Sequence, residues 1–241
     1  MSSLRSWAAT HVGTVRDHNE DALVNRPDLG LWAVADGAGG HDAGEVASGM
    51  IVAALDAIPT ELPAADLLAM VRGRVTGVHE ALREEAEARG PDVTIASTVV
   101  MLVVRDGYFA CLWAGDSRAY LLRDGTLTQI SRDHSLVQEL VDSGQITAEA
   151  AEHHPYNNVI TRAVGAAVED FALDKVTDRL EPGDRFLLCS DGLSKAVDAA
   201  ELQLKLSGPF ESSPAEALVA AALERKTNDN VTAVVIATEA D

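Results

Sequence analysis

Four aspartates stand where an acid is costly. Asp36 follows the apolar run Gly30-Leu-Trp-Ala-Val-Ala and precedes Gly37-Ala38-Gly39-Gly40-His41. Asp191 repeats that grammar, after Phe186-Leu-Leu-Cys-Ser and before Gly192. Asp116 follows the run Tyr108 to Ala114 in Ala114-Gly-Asp-Ser-Arg118, and Asp229 lies in Thr227-Asn-Asp-Asn230 just ahead of Val231 to Ile236. An acid at the end of a buried strand calls for a cation to meet it. A lone Asp-Gly is an ordinary turn, as at Asp106 and Asp124. Four acids beside apolar strands, without basic residues to pair with them all, point instead to a shared hard cation. Oxygen donors alone select Mg²⁺ or Mn²⁺ over zinc. The glycine after Asp36 permits a sharp turn and leaves the Gly37 carbonyl accessible.

A second group lies near the N-terminus, in Gly13-Thr-Val-Arg16-Asp-His-Asn19-Glu20-Asp21. Arg16 precedes two acids by four and five residues. Its guanidinium can fork onto two phosphate oxygens while Glu20 and Asp21 face an ion or its waters. Alone this is a charged turn. With the other acids it completes a phosphoryl-transfer kit: two divalent ions, an activated water and a guanidinium clamp.

The elements that must position these residues read as strands with separate helices. Short apolar or β-branched runs predict strands over Gly30 to Asp36, Ser97 to Val104, Tyr108 to Ala114, Ala119 to Arg123, Arg185 to Ser190 and Val231 to Thr238. The turn signals Arg105-Asp106-Gly107 and Arg123-Asp124-Gly125 suit tight hairpins and argue for antiparallel sheets. Helical periodicity covers Ala43 to Ile58 and Ala64 to Arg89. A third helix, Pro214 to Arg225, opens with Ser213 as N-cap and Pro214 in its first turn. The stretch from Ser135 to Gly165 is more polar and reads as a helical insertion between strands, suited to a flap. Residues 1–241 otherwise read as one domain.

Composition narrows the function. The chain has 19 basic and 38 acidic side chains, a net charge of −19, which disfavours nucleic acid and anionic lipid as partners. No apolar stretch reaches membrane-spanning length, and the N-terminal residues lack a signal-peptide pattern, so a cytoplasmic location is expected. Cys111 and Cys189 lie in apolar runs without metal-ligand spacing and read as core residues. No oligomerisation surface stands out, so a monomer is expected.

Taken in order, the motifs resemble those of the metal-dependent PPM/PP2C-type protein phosphatases, especially compact bacterial members. The matching residues are Gly13-x-x-Arg16-x-x-Asn19-Glu20-Asp21, Ala35-Asp36-Gly37-x-Gly39-Gly40-His41-x-x-Gly44-Glu45, Ala96-Ser97-Thr98, Gly115-Asp116-Ser117-Arg118, Asp133-His134-Ser135, Asn158-Val-Ile-Thr-Arg-Ala163, Ser190-Asp191-Gly192 and Asp229-Asn230-x-Thr232. Each is weak alone; together they span nearly the whole chain. The resemblance implies an α+β fold, a four-layer α/β/β/α sandwich with two central antiparallel sheets. It also implies hydrolysis of phosphoserine and phosphothreonine in proteins by a water or hydroxide bridging two Mn²⁺ or Mg²⁺ ions, without a phosphoenzyme. Carried over by position, Asp36 would bridge both ions, the Gly37 carbonyl would bind the second, and Asp191 and Asp229 the first. Glu20 or Asp21 would contact the second ion directly or through water. Arg16 would hold the phosphate, and Asp116 with Asp191 would hold a weaker third ion.

Two departures stand out. Ala38 occupies the place where many members carry a histidine proposed as general acid, leaving His41 as a substitute or as a residue that begins the following helix. Lys195 stands where an acid commonly supports the third ion. An ammonium there should weaken a neighbouring divalent ion, unless it simply extends into solvent. The stretch Asp21 to Asp36 is especially similar to phosphatases encoded with type VI secretion systems, which would make a Ser/Thr kinase or a forkhead-associated-domain protein a partner. Other readings of the same residues are a catalytically silent binding module and a hydrolase of small phosphate esters.

Overall fold

The computed structural model describes residues 4–39, 43–167, 171–210 and 212–238. Two sheets form its centre. One has the order β1 (Leu4–His11), β11 (Val231–Thr238), β10 (Arg185–Cys189), β7 (Arg118–Arg123) and β8 (Thr126–Gln129). The other runs β2 (Asp21–Arg26), β3 (Leu31–Gly39), β5 (Val99–Arg105), β6 (Tyr108–Ala114) and β9 (Asp174–Arg179), with the short β4 (Ile95–Ser97) against the end of β3. All the described pairings are antiparallel.

Alternation of side chains along the strands builds the layers. Leu31, Ala33 and Ala35 of β3 face Ile51 and Leu55 of α1 (Ala43–Asp56) and Leu67, Val71 and Val75 of α2 (Ala64–Arg89). Their neighbours Trp32 and Val34 point the other way, onto Phe186, Leu188, Val234 and Ile236 of the second sheet. The far face of that sheet, Leu187, Cys189, Ala233 and Val235, packs on α6 (Ala199–Ser207) and α7 (Pro214–Glu224) through Leu202, Leu206, Leu218 and Ala222. This is the expected α/β/β/α sandwich. Cys111 and Cys189 are buried free thiols within it. Both expected hairpins form, with Asp106-Gly107 and Asp124-Gly125 at positive φ, as tight primed turns require.

The strand expected over Ser97 to Val104 is broken at Thr98, between β4 and β5. The break has a use. Thr98 donates its N–H to the Asp36 carbonyl at 2.9 Å, and its hydroxyl accepts from the Asp36 N–H at 3.3 Å. Asp36 is thereby held inside β3 rather than at its end, opposite Asp21. The polar stretch carries α3 (Leu136–Asp142) and α4 (Ala148–Glu152), with Ser135 and Thr147 as N-caps. Neither helix buries a side chain. The stretch returns to the sandwich through bridges between Ser135 and Ile160 and between Ser97 and Val164. Among the described residues, no helix is long and apolar enough to cross a membrane.

Candidate metal centre

The acids meet at one end of the paired sheets. Asp21 opens β2 directly across from Asp36 on β3. Asp191 is the first residue of the short α5 (Asp191–Ser194), which leaves β10 by way of Ser190. Asp229 precedes β11, and Asp116 lies in the link between β6 and β7. The glycines that frame this end are close-packed. A Cβ on Gly37 would lie 2.2 Å from the Gly44 carbonyl oxygen. Gly37 is itself buried, and its N–H donates to the Glu20 carbonyl at 3.1 Å. That bond places the turn leading to Asp21 against β3 beside Asp36.

Asn230 makes the second tie. Its side-chain oxygen accepts from the Glu20 N–H at 2.9 Å, while its amide donates to the Val12 and His18 carbonyls at 2.8 and 2.9 Å. Sequence reasoning placed Asn230 in a motif but gave it no role. Its partners lie over two hundred residues away in the chain, so only the register of β1 against β11 reveals them. Ser190 and Thr232 are likewise organisers: both hydroxyls donate to Asp21 Oδ2, at 2.8 and 2.7 Å.

The electrostatics are those of a site short of positive charge. Asp21 and Asp116 are buried, and each keeps one buried oxygen, Oδ1, with no hydrogen-bond partner. Burial pushes Asp21 up to about 7, with Asp191 and Asp229 adding to the rise against the bonds from Thr232 and Ser190. Burial, then the charge of Asp191, pushes Asp116 up to about 7, with Lys195 pulling the other way. Asp36 is raised well above the ordinary carboxylate range, by burial and then by Asp21, Asp191, Asp116 and Asp229. Burial and neighbouring acids thus disfavour the charge on Asp21, Asp36 and Asp116.

Asp191 and Asp229 have found cations within the chain. Arg16 Nη2 lies 3.0 Å from Asp229 Oδ2, and Lys195 Nζ lies 2.6 Å from Asp191 Oδ2. Lys195 therefore turns onto the cluster instead of extending into solvent. In this arrangement no group of three or more His, Cys, Asp or Glu side chains among the described residues is set to hold a metal. The donor chemistry nevertheless suits hard dications: oxygen ligands, orphaned buried oxygens and carboxyls that burial would otherwise protonate. Closing a site would require Asp229 to turn from Arg16, while Asp191 meets Lys195 through Oδ2 alone. Ala38 is exposed, and His41, with Gly40, lies outside the described residues.

The fold and this acid cluster define a class, the four-layer α/β/β/α sandwiches with carboxylates gathered at the sheet ends. The protein phosphatase 2C family profile matches residues 11–233, and the chain belongs to that family. It is similar to PppA, described as a key regulatory component of T6SS in Pseudomonas aeruginosa, with 46% identity, 98% of both chains covered and a TM-score of 0.90. The catalytic domain of PstP, solved in complex with two manganese ions, matches at 38% identity over 98% of both chains, with a TM-score of 0.87. The serine/threonine protein phosphatase PstP of Mycobacterium tuberculosis is 40% identical over 234 residues. That match takes in 96% of this chain but 44% of the relative, so the chain spans less than half of that relative's length.

Proposed function

We propose that the chain is a protein serine/threonine phosphatase acting through a dinuclear Mn²⁺ or Mg²⁺ centre held by Asp36, Asp191 and Asp229, with Glu20, Asp21 and the Gly37 carbonyl completing it. The observation that carries this reading is the convergence of five carboxylates, two of them with orphaned buried oxygens, in a chain of the protein phosphatase 2C family. When bound, divalent ions would offset the acids' repulsion, attract the phosphate dianion and lower the pKa of water. The chain's own residues do the rest. Ser190 and Thr232 hold Asp21 in place, and Thr98 holds Asp36. Arg16, exposed beside Asp229, is positioned to exchange that carboxylate for phosphate oxygens.

The hydroxyls nearest the cluster favour attack by water over a phosphoenzyme. Ser190 and Thr232 are buried and committed to Asp21, while Thr98 and Ser117 bond each other at 2.7 Å. A third ion near Asp116 is a weak site in this reading, because the Lys195 ammonium stands beside it. The 135–165 stretch serves as a flap on the single domain, over the site. Substrates are phosphoproteins, among them a Ser/Thr kinase or a forkhead-associated-domain protein, and likeness to PppA supports a place in type VI secretion control. A cytoplasmic monomer fits these roles.

Phosphopeptide and small-ester turnover with Mn²⁺, then with EDTA, separates this reading from the others. Mn²⁺-dependent release of phosphate from phosphothreonine peptides is expected, abolished by EDTA and by Asp36→Asn or Asp229→Asn in folded protein. Well-folded Asp36→Asn protein with full turnover would overturn the assignment, and activity on small esters alone would favour a different hydrolase. For Arg16→Ala, KM rises while kcat changes little. An unchanged KM would remove Arg16 from phosphate binding.

A further inference from the structure

Lys195 follows α5 directly, and its ammonium joins two parts of the molecule. Nζ lies 2.6 Å from Asp191 Oδ2 and 2.6 Å from the side-chain oxygen of Asn158. Asn158 belongs to the 135–165 stretch, whose helices bury no side chain. Core packing along α3 and α4 therefore cannot hold that stretch to the sandwich; its roots and contacts such as this one must.

The charge of Lys195 also reaches beyond Asp191. Asp116 and Asp36 lie within electrostatic reach of the ammonium. Asp116 is the telling neighbour, since it is buried and its Oδ1 has no partner. Asp116 and Asp191 thus form an edge that offers oxygen to a cation, and the cation that meets it at Asp191 is covalently part of the chain. An ammonium is a compact single charge with three donors, two of them used on Asp191 and Asn158. A divalent ion placed beside it would meet strong repulsion.

We propose that Lys195 is a resident cation that takes the place of a further divalent ion at the Asp116–Asp191 edge and tethers the Asn158 stretch to the acid cluster. The substitution rests on reading the cluster as a metal centre; the tether does not. Lys195 is 41% exposed, so the tether contributes little to global stability and should show in local protection instead. Its position would not depend on the free metal concentration.

The test compares wild type, Lys195→Met and Lys195→Asp by amide hydrogen exchange and by Mn²⁺ titration calorimetry, each checked for cooperative unfolding. In metal-free protein, Lys195→Met is expected to speed exchange at residues 156–160 roughly threefold or more, with the sandwich strands unchanged. Lys195→Asp should bind one more Mn²⁺ per chain than wild type, and Mn²⁺ should then restore protection at 156–160 in that variant but not in Lys195→Met. A purely structural lysine would not yield metal rescue by an acid. Equal exchange in wild type and Lys195→Met would overturn the tether, and equal stoichiometry in wild type and Lys195→Asp would overturn the substitution. Failure of every variant to bind Mn²⁺ would instead overturn the metal-centre reading, with the metal-free exchange comparison still deciding the tether.

Discussion

At Asp36 the usual relation between a charge and stability is inverted. Its carboxylate is disfavoured by burial and by four neighbouring acids, so the metal-free fold is strained by the group the site most needs. Asp36→Asn is therefore expected to melt higher than wild type in EDTA. A gain of about 1 kcal/mol corresponds to about 2–4 °C at this chain length. A lower melting temperature in EDTA would show that the charge is already compensated within the chain. Gly13 carries the opposite expectation. It has φ +85°, and a Cβ there would lie 2.1 Å from the Asp229 carbonyl oxygen. Gly13→Ala combines a left-handed strain with a backbone clash, so a loss on the order of 2–4 kcal/mol is expected. Calorimetry should find weaker Mn²⁺ binding as well, because the clash falls on Asp229; unchanged affinity would mean that the turn yields without moving the acid. Asp36, Asp116, Asp191 and Asp229 were legible because apolar runs flank them. The ion pairs of Arg16 with Asp229 and Lys195 with Asp191 were not, the first because it joins residues at opposite ends of the chain.

Elements were legible where burial imposes a period and obscure where it does not. The central strands and α1, α2 and α7 carry continuous or periodic apolar residues, and their positions follow from the sequence to within a residue or two, except that β3 runs three residues past Asp36 and the strand expected from Ser97 is broken at Thr98. The edge strand β9, Asp-Lys-Val-Thr-Asp-Arg, is almost wholly exposed and exists through its backbone pairing with β6. β1 is only partly buried and takes its register from β11, so neither strand announces itself. The roots of the 135–165 stretch were equally hidden, and they rest on two histidines. His134 Nδ1 accepts from the Gly115 N–H at 3.1 Å, and His79 Nδ1, stacked on Phe171, accepts from the Gly165 N–H at 3.0 Å. An accepting Nδ1 makes Nε2 of His134 the protonated nitrogen, suited to donate to Asp174. Burial lowers both imidazoles below their ordinary value, His134 despite Asp174. A base with a depressed folded pKa contributes stability that is present above about pH 6.5 and lost as pH falls through the folded pKa. Both acceptors vanish on protonation. In metal-free protein, exchange at Gly115 and Gly165, corrected for intrinsic rate, should therefore rise between pH 7 and pH 5. A flat profile would show that the roots hold without these bonds.

For the whole molecule, a net charge of −19 makes cation binding and folding one problem. Asp21 and Asp116, both near 7, and the raised Asp36 all hold protons more tightly in the folded chain than in the unfolded one. The native state thus binds more protons between about pH 4 and pH 7, and stability in EDTA falls as pH rises through that window. The histidine roots act in the reverse direction, so a melting curve in EDTA alone mixes the two. Subtracting it from the curve in Mn²⁺ at the same pH removes the roots and the surface ion pairs, leaving the site. Near pH 5 Asp21 and Asp116 hold protons that dications must displace, and the difference should be small there. Above about pH 7 Asp21 and Asp116 have given up those protons, and Mn²⁺ at about a hundred times its dissociation constant should stabilise the fold by about 2.7 kcal/mol, or about 5–10 °C. A difference that stays constant from pH 5 to pH 8 would mean that the ions bind elsewhere on the acidic surface. A difference that widens with pH in wild type and disappears in Asp36→Asn would locate the binding at the sheet ends.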